Sequence, residues 1–166
     1  MVIPRAWLSL FIPHWLLRRQ FSRADLDGIE AAVGEAEQGH RGEIRVVIEM
    51  APPLRAILAG EDVASRASQT FAVQRIWDTE DNTGVLIFLA WWEREVRILA
   101  DRGLGGKITP AEWADLCETI AVGCRAGRPG AALATAIRRI GERLRQECGD
   151  LGTGNPDELG NRPILT

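Results

Sequence analysis

Lysine is all but missing from this chain. Lys107 is the only one, against nineteen arginines, so any lysine-dependent chemistry has a single position at which to occur. Cysteine is also scarce. Cys117, Cys124 and Cys148 form no CxxC pair and no histidine stands near them at zinc-finger spacing, which argues against a zinc ribbon or a disulfide frame and for buried, reduced thiols. Long apolar runs are missing too. The longest candidate, residues 6–17, is interrupted by Pro13 and His14 and falls short of the roughly 20 residues that cross a bilayer. Arg18-Arg19 follows it where a secretory signal would place small residues. The expectation is a cytoplasmic protein with no transmembrane segment. Excess positive charge is lacking as well: the net charge is −3, which argues against a nucleic-acid partner.

Several catalytic signatures are absent. There is no GxSxG elbow, no cysteine followed by arginine at phosphatase-loop spacing, and no strand ending in DxD. Gly103-Leu104-Gly105-Gly106-Lys107 suggests a phosphate loop, but Ile108 stands where Ser or Thr should hold magnesium. That stretch reads instead as a loop feeding the next helix.

What is present is an ordinary globular composition, 46% hydrophobic and 26% charged over 166 residues, enough for one domain with its own core. Ser22 with Asp25 opens a helix over residues 23–38, ending near Gly39. The run Ile44-Arg45-Val46-Val47-Ile48 reads as a buried strand stopped by Pro52-Pro53. Helical spacing returns over residues 62–76. The turn from Asp78 to Gly84 then launches the strongest strand, Val85 to Ala90, so a right-handed, parallel βαβ unit is expected. A third strand, Glu95 to Ala100, follows too closely for a crossover and must pair antiparallel. Thr109-Pro110-Ala111-Glu112 is a cap, a first-position proline and a capping glutamate. It starts a helix to about Cys124, and after Gly127-Arg128-Pro129-Gly130 a last helix runs through Leu133, Ile137, Ile140 and Leu144.

The expected fold is thus α/β, a small mixed sheet of three to four strands with helices on both faces. Residues 1–19 form an N-terminal amphipathic segment in which Trp7, Phe11 and Trp15 recur at i, i+4, i+8. Residues 20–148 form the domain. Residues 149–166 read as an extended tail, docked or free. The topology places His40, Arg41, Asp81, Asn82 and Asp101 at one sheet edge, and Glu49 with the Trp91-Trp92 hairpin tip at the other.

The ordered strings Ala36-Glu37, His40-Arg41-Gly42-Glu43-Ile44, Arg66-Ala67 with Phe71, Trp77 through Ile87, and Ala100-Asp101-Arg102-Gly103 together resemble the TPM-domain family, in its compact bacterial, cytoplasmic-type form. The tail motif Asp157 to Pro163 is similar to an acidic, proline-containing motif of those members. The resemblance implies a Rossmann-like α/β/α sandwich with a small sheet, in agreement with that order of elements. For function it implies an accessory or interaction module of unassigned pathway, binding a divalent cation, or a metal-dependent phosphatase of broad specificity.

The family's acidic site maps onto Asp101 after the third strand and Asp81 with Asn82 before the second. With Asp78 these give the expected metal ligands, Asp78, Asp81, Asn82 and Asp101, whose hard oxygens suit Ca²⁺ or Mg²⁺. The competing reading is plain turn and cap chemistry, which uses the same residue types. No organic cofactor is expected. Phosphatase chemistry without a protein nucleophile would need metal-activated water, with Asp81 and Asp101 as candidate bases. The hairpin tip departs from the family, which usually has a small polar turn there. Strand alternation allows only one of two adjacent tryptophans to face the core. Trp7, Trp15, Trp91 and Trp92 are therefore the expected docking residues for a protein partner or a membrane-associated complex, with the oligomeric state open and attachment to a membrane peripheral.

Overall fold

The computed structural model of the chain describes residues 19–148 and 159–166. The expected amphipathic segment with Trp7 and Trp15, and most of the expected tail, lie outside these residues. Helix α1 (Arg23–Ala36) begins with a reciprocal capping box, Ser22 accepting from the Asp25 amide and Asp25 from the Ser22 amide. It leads into strand β1 (Glu43–Glu49). A short helix α2 (Leu54–Ala59) and helix α3 (Val63–Val73) follow. Strands β2 (Gly84–Ala90) and β3 (Glu95–Ala100) come next, then α4 (Pro110–Arg125) and α5 (Pro129–Cys148). The last element is β4 (Ile164–Leu165).

The sheet order is β3-β2-β1-β4. β1 and β2 pair parallel with Glu43 opposite Gly84 and Glu49 opposite Ala90, and β2 and β3 form the antiparallel hairpin. Strand alternation then divides the core. Ile44, Val46, Ile48, Val85, Ile87 and Leu89 face α1, α4 and α5, whereas Val47, Leu86 and Phe88 face α3. Helices cover both faces, as a sheet with two apolar sides requires. α1 and α5 approach closely because Gly141 lies against Ala36, where an added Cβ would come within 2.6 Å of the alanine methyl.

One element is absent from the sequence reading, and another settles a point it left open. α2 is missing from it because six residues are too few for a clear helical period. The tail docks: β4 adds a fourth strand parallel to β1, and Thr166, which follows it, donates its amide to the Ile48 carbonyl at 3.0 Å and accepts from the Met50 amide at 2.9 Å. Arg45 reaches from β1 to the Gly160 carbonyl and fastens the approach.

Candidate functional site

The loops before β1, before β2 and after β3 meet at one end of the sheet. The Thr83 hydroxyl donates to the Arg41 carbonyl at 2.8 Å, and the Thr83 amide donates to the Thr79 hydroxyl oxygen at 3.0 Å. The Asp101 amide donates to the Gly84 carbonyl at 2.9 Å, and the Gly103 amide to the Asn82 carbonyl at 2.8 Å. Glycine at 103 has a steric reason. A Cβ there would stand 2.5 Å from the carbonyl oxygens of both Asp81 and Asn82, so the loop after β3 can lie against the turn only without a side chain.

His40 anchors the same end from below. It is buried, its Nε2–H donating to the Ala36 carbonyl at 2.6 Å and its Nδ1 accepting from the Gly42 amide at 3.0 Å. Those partners fix the neutral tautomer. Burial, reinforced by the Arg145 charge, lowers its pKa from 6.5 against the pull of the Ala36 bond. This is a structural histidine.

The expected ligands are brought together unevenly. Asn82, at φ +56°, and Asp101 belong to the joined loops. The Asn82 Oδ1 accepts from Arg102 Nε at 3.0 Å, and Asp101 Oδ1 caps the short turn Arg102–Leu104 by accepting from the Arg102 amide at 2.7 Å. Asp81 pairs with Arg41 at 3.3 Å, where Glu80 also lies 3.8 Å away. Asp78 pairs instead with Arg75, three residues before it. Among the described residues, no group of three or more His, Cys, Asp or Glu side chains is placed to hold a metal ion.

Arginine thus balances much of an edge that composition alone makes acidic. Arg102 adjoins Asp101 in the sequence, whereas Arg41 reaches Asp81 from forty residues away. One oxygen stands apart: Asp101 Oδ2 is buried and has no hydrogen-bond partner among the described residues.

The opposite end is organised by a group that sequence reasoning missed. Arg66 on α3 is buried and donates to Glu49 at the end of β1 at 2.9 Å, and to Glu93 in the hairpin turn at 2.7 Å. A third bond goes to the Glu61 carbonyl at 3.0 Å. Burial pushes the Glu49 carboxyl above its ordinary 4.5, an effect the Arg66 bonds offset only in part. The alternation that aims Val47 at α3 also aims Glu49 there, so the pairing was legible once β1 was placed.

Trp91 and Trp92 lie in the turn between β2 and β3, and both pack in part against the larger core. Strand alternation does not govern them because they have left the strand, where Arg94 takes φ +58° to complete the turn. Phe21 meets Trp91 edge-on with ring centroids 5.2 Å apart, which places the start of α1 at the tryptophan end. No described helix is long and apolar enough to cross a membrane.

A four-stranded mixed sheet between helices, with an Asp-Arg-Gly loop against an Asp-Asn turn, defines a small α/β/α domain whose polar end is built from three loops. The sequence matches the TPM domain over residues 18–143, and the chain belongs to that family. None of the curated proteins matches it. Among solved structures it is similar to BA42 from the psychrophilic bacterium Bizionia argentinensis, at 24% identity and TM-score 0.75, over 88% of this chain and 95% of that one. The N-terminal domain of cg2496 from Corynebacterium glutamicum follows at 16% identity and TM-score 0.56, over 82% and 80%. An N-terminal domain from P. gingivalis has 18% identity and TM-score 0.56, over 82% and 83%. At these identities the likeness concerns the fold.

Proposed function

We propose that this chain is an accessory or interaction module whose three-loop end takes a divalent cation, Ca²⁺ or Mg²⁺, at Asp101 with Asp81 and Asn82. The observation that carries the reading is the buried, unpartnered Asp101 Oδ2 beside the turn that holds the other two. A carboxylate oxygen without a donor is costly to bury, and a hard cation is the ligand that satisfies it. Asp81 and Asn82 would exchange Arg41 and Arg102 for the ion. The Arg41–Asp81 pair is well exposed, and such pairs contribute about 1 kcal/mol or less, so the exchange is cheap. Asp78, held by Arg75, plays a lesser part.

Hydrolysis here would rest on metal-activated water with Asp81 or Asp101 as base, whereas the unpartnered Asp101 Oδ2 calls only for the cation, so binding is the reading favoured. Ca²⁺ should raise the melting temperature of the full chain in a saturable way, because a ligand that binds only the folded state stabilises it by mass action. Asp101→Asn keeps an acceptor for the Arg102 amide and removes the charge, and should abolish that rise. An equal rise in both proteins would refute the site. Metal-dependent turnover of an activated phosphomonoester, lost in Asp101→Asn, would replace the binding module with an enzyme.

A further inference from the structure

Helix α3 packs on β3 and β2, and between it, the start of α2 and strands β1 and β4 lies a groove of about 350 Å³. Its floor is an apolar row, Phe88, Val47 and Ile164, in register across β2, β1 and β4. Thr70 on α3 stands on one side and Arg55 on α2 on the other. Where β1 ends and α3 begins, the groove meets Glu49, Arg66 and Glu61. A concave site with an apolar floor and a few convergent polar groups is of the kind that binds small molecules.

Charge at that end does not balance. Arg66 answers the carboxylates of Glu49 and Glu93, but from Glu61 it takes only the backbone carbonyl. Glu93 Oε2 is buried without a hydrogen-bond partner among the described residues, so acceptors exceed donors. Burial raises the Glu49 carboxyl above its ordinary value, Arg66 draws it back in part, and the charges of Glu93 and Glu61 raise it further. With Arg55 included, three carboxylates face two guanidiniums, a surplus of one negative charge. We propose that the groove binds a small primary alkylammonium, its stem on Val47, Phe88 and Ile164 and its head beside Glu49 and Glu61. An ammonium brings three donors and no acceptor, which is what the group lacks, and an apolar stem with a charged tip matches a floor that is apolar along its length and acidic at one end. The site lies at the opposite end of the sheet from Asp101 and stands independently of the divalent-cation reading.

NMR titration of the full chain with hexylammonium chloride tests the proposal, with 1-hexanol and sodium hexanoate as comparators of equal stem length. Hexylammonium should give saturable shifts at the amides of Val47, Glu49, Glu61 and Thr70, and none at Asp81, Asn82 and Asp101. Hexanol should bind roughly tenfold more weakly, the step expected when a charge-assisted hydrogen bond is lost, and hexanoate should not bind. Glu61→Gln should weaken hexylammonium by roughly tenfold and Arg55→Gln should tighten it, with hexanol unchanged in both. Arg55 is exposed and Glu61 half-buried, and Arg66 is held by the Glu61 backbone rather than its side chain, so both variants keep the fold. Equal binding of hexanol and hexylammonium would show the apolar floor acting alone and would overturn the proposal. So would tighter binding of hexanoate, shifts confined to the three-loop end, no shifts at all, or a Glu61→Gln chain that binds hexylammonium as the unaltered chain does.

Discussion

Single residues hold the three-loop end in shape, and two of them make separate predictions. Gly103 lies against the carbonyls of Asp81 and Asn82 with no space for a methyl group. Gly103→Ala should cost about 1–3 kcal/mol, in the range of other overpacking substitutions, and weaken any cation response, as read by urea denaturation and titration. His40 predicts a pH dependence. Its folded pKa lies below 6.5, so the unfolded chain takes up the proton first. The stability from the neutral ring is complete above about 6.5 and is lost as pH falls through the window beneath it. Urea midpoints should therefore decline between pH 7 and pH 5, and His40→Gln should remove that part of the decline. A slope unchanged in the variant would contradict the assignment of His40 as a buried neutral ring.

At the scale of elements, Arg66 joins three pieces of chain: α3, the end of β1 and the hairpin turn. Removing one member of a buried ionic group leaves a charge without compensation, which typically costs 3–5 kcal/mol. Arg66→Met should destabilise the domain by about that much, and adding Glu49→Gln should restore part of the loss in a double-mutant cycle. A cost below about 1 kcal/mol would place the group with ordinary surface pairs.

The order of elements was largely legible in the sequence because each of the main ones carries its own signal. Both capping boxes formed as written, at Ser22 and at Thr109. The two apolar runs became the central strands, and the short link between β2 and β3 settled their antiparallel pairing. α2 and β4 were not legible for a shared reason. Each is short and is set by what it packs against, and the two-residue β4 exists only because β1 offers an unpaired edge.

For the whole molecule, topology carried more of the site than any motif did. Parallel β1 and β2 with a returning β3 bring Asp81, Asn82 and Asp101 to one end and Trp91 with Trp92 to the other, a division that follows from strand direction alone. What the sequence did not resolve is how charge is shared at the loop end. Arg41, Arg75 and Arg102 each hold one of the expected ligands, and such partners depend on side-chain reach, which periodicity does not encode. Asp78 differs from the others in finding its partner locally, in Arg75 three residues before it.

The most direct test of the cation-binding account is an NMR titration of the metal-free chain with Ca²⁺ and then Mg²⁺, following the amides of residues 78–84 and 101–103. The account predicts saturable shifts concentrated at Asp81, Asn82 and Asp101–Gly103, smaller ones at Asp78, and none at the hairpin tip. Amides at the three-loop end that stay fixed at millimolar concentrations of both ions would contradict it, leaving Asp81, Asn82 and Asp101 as turn and cap residues held by their arginines.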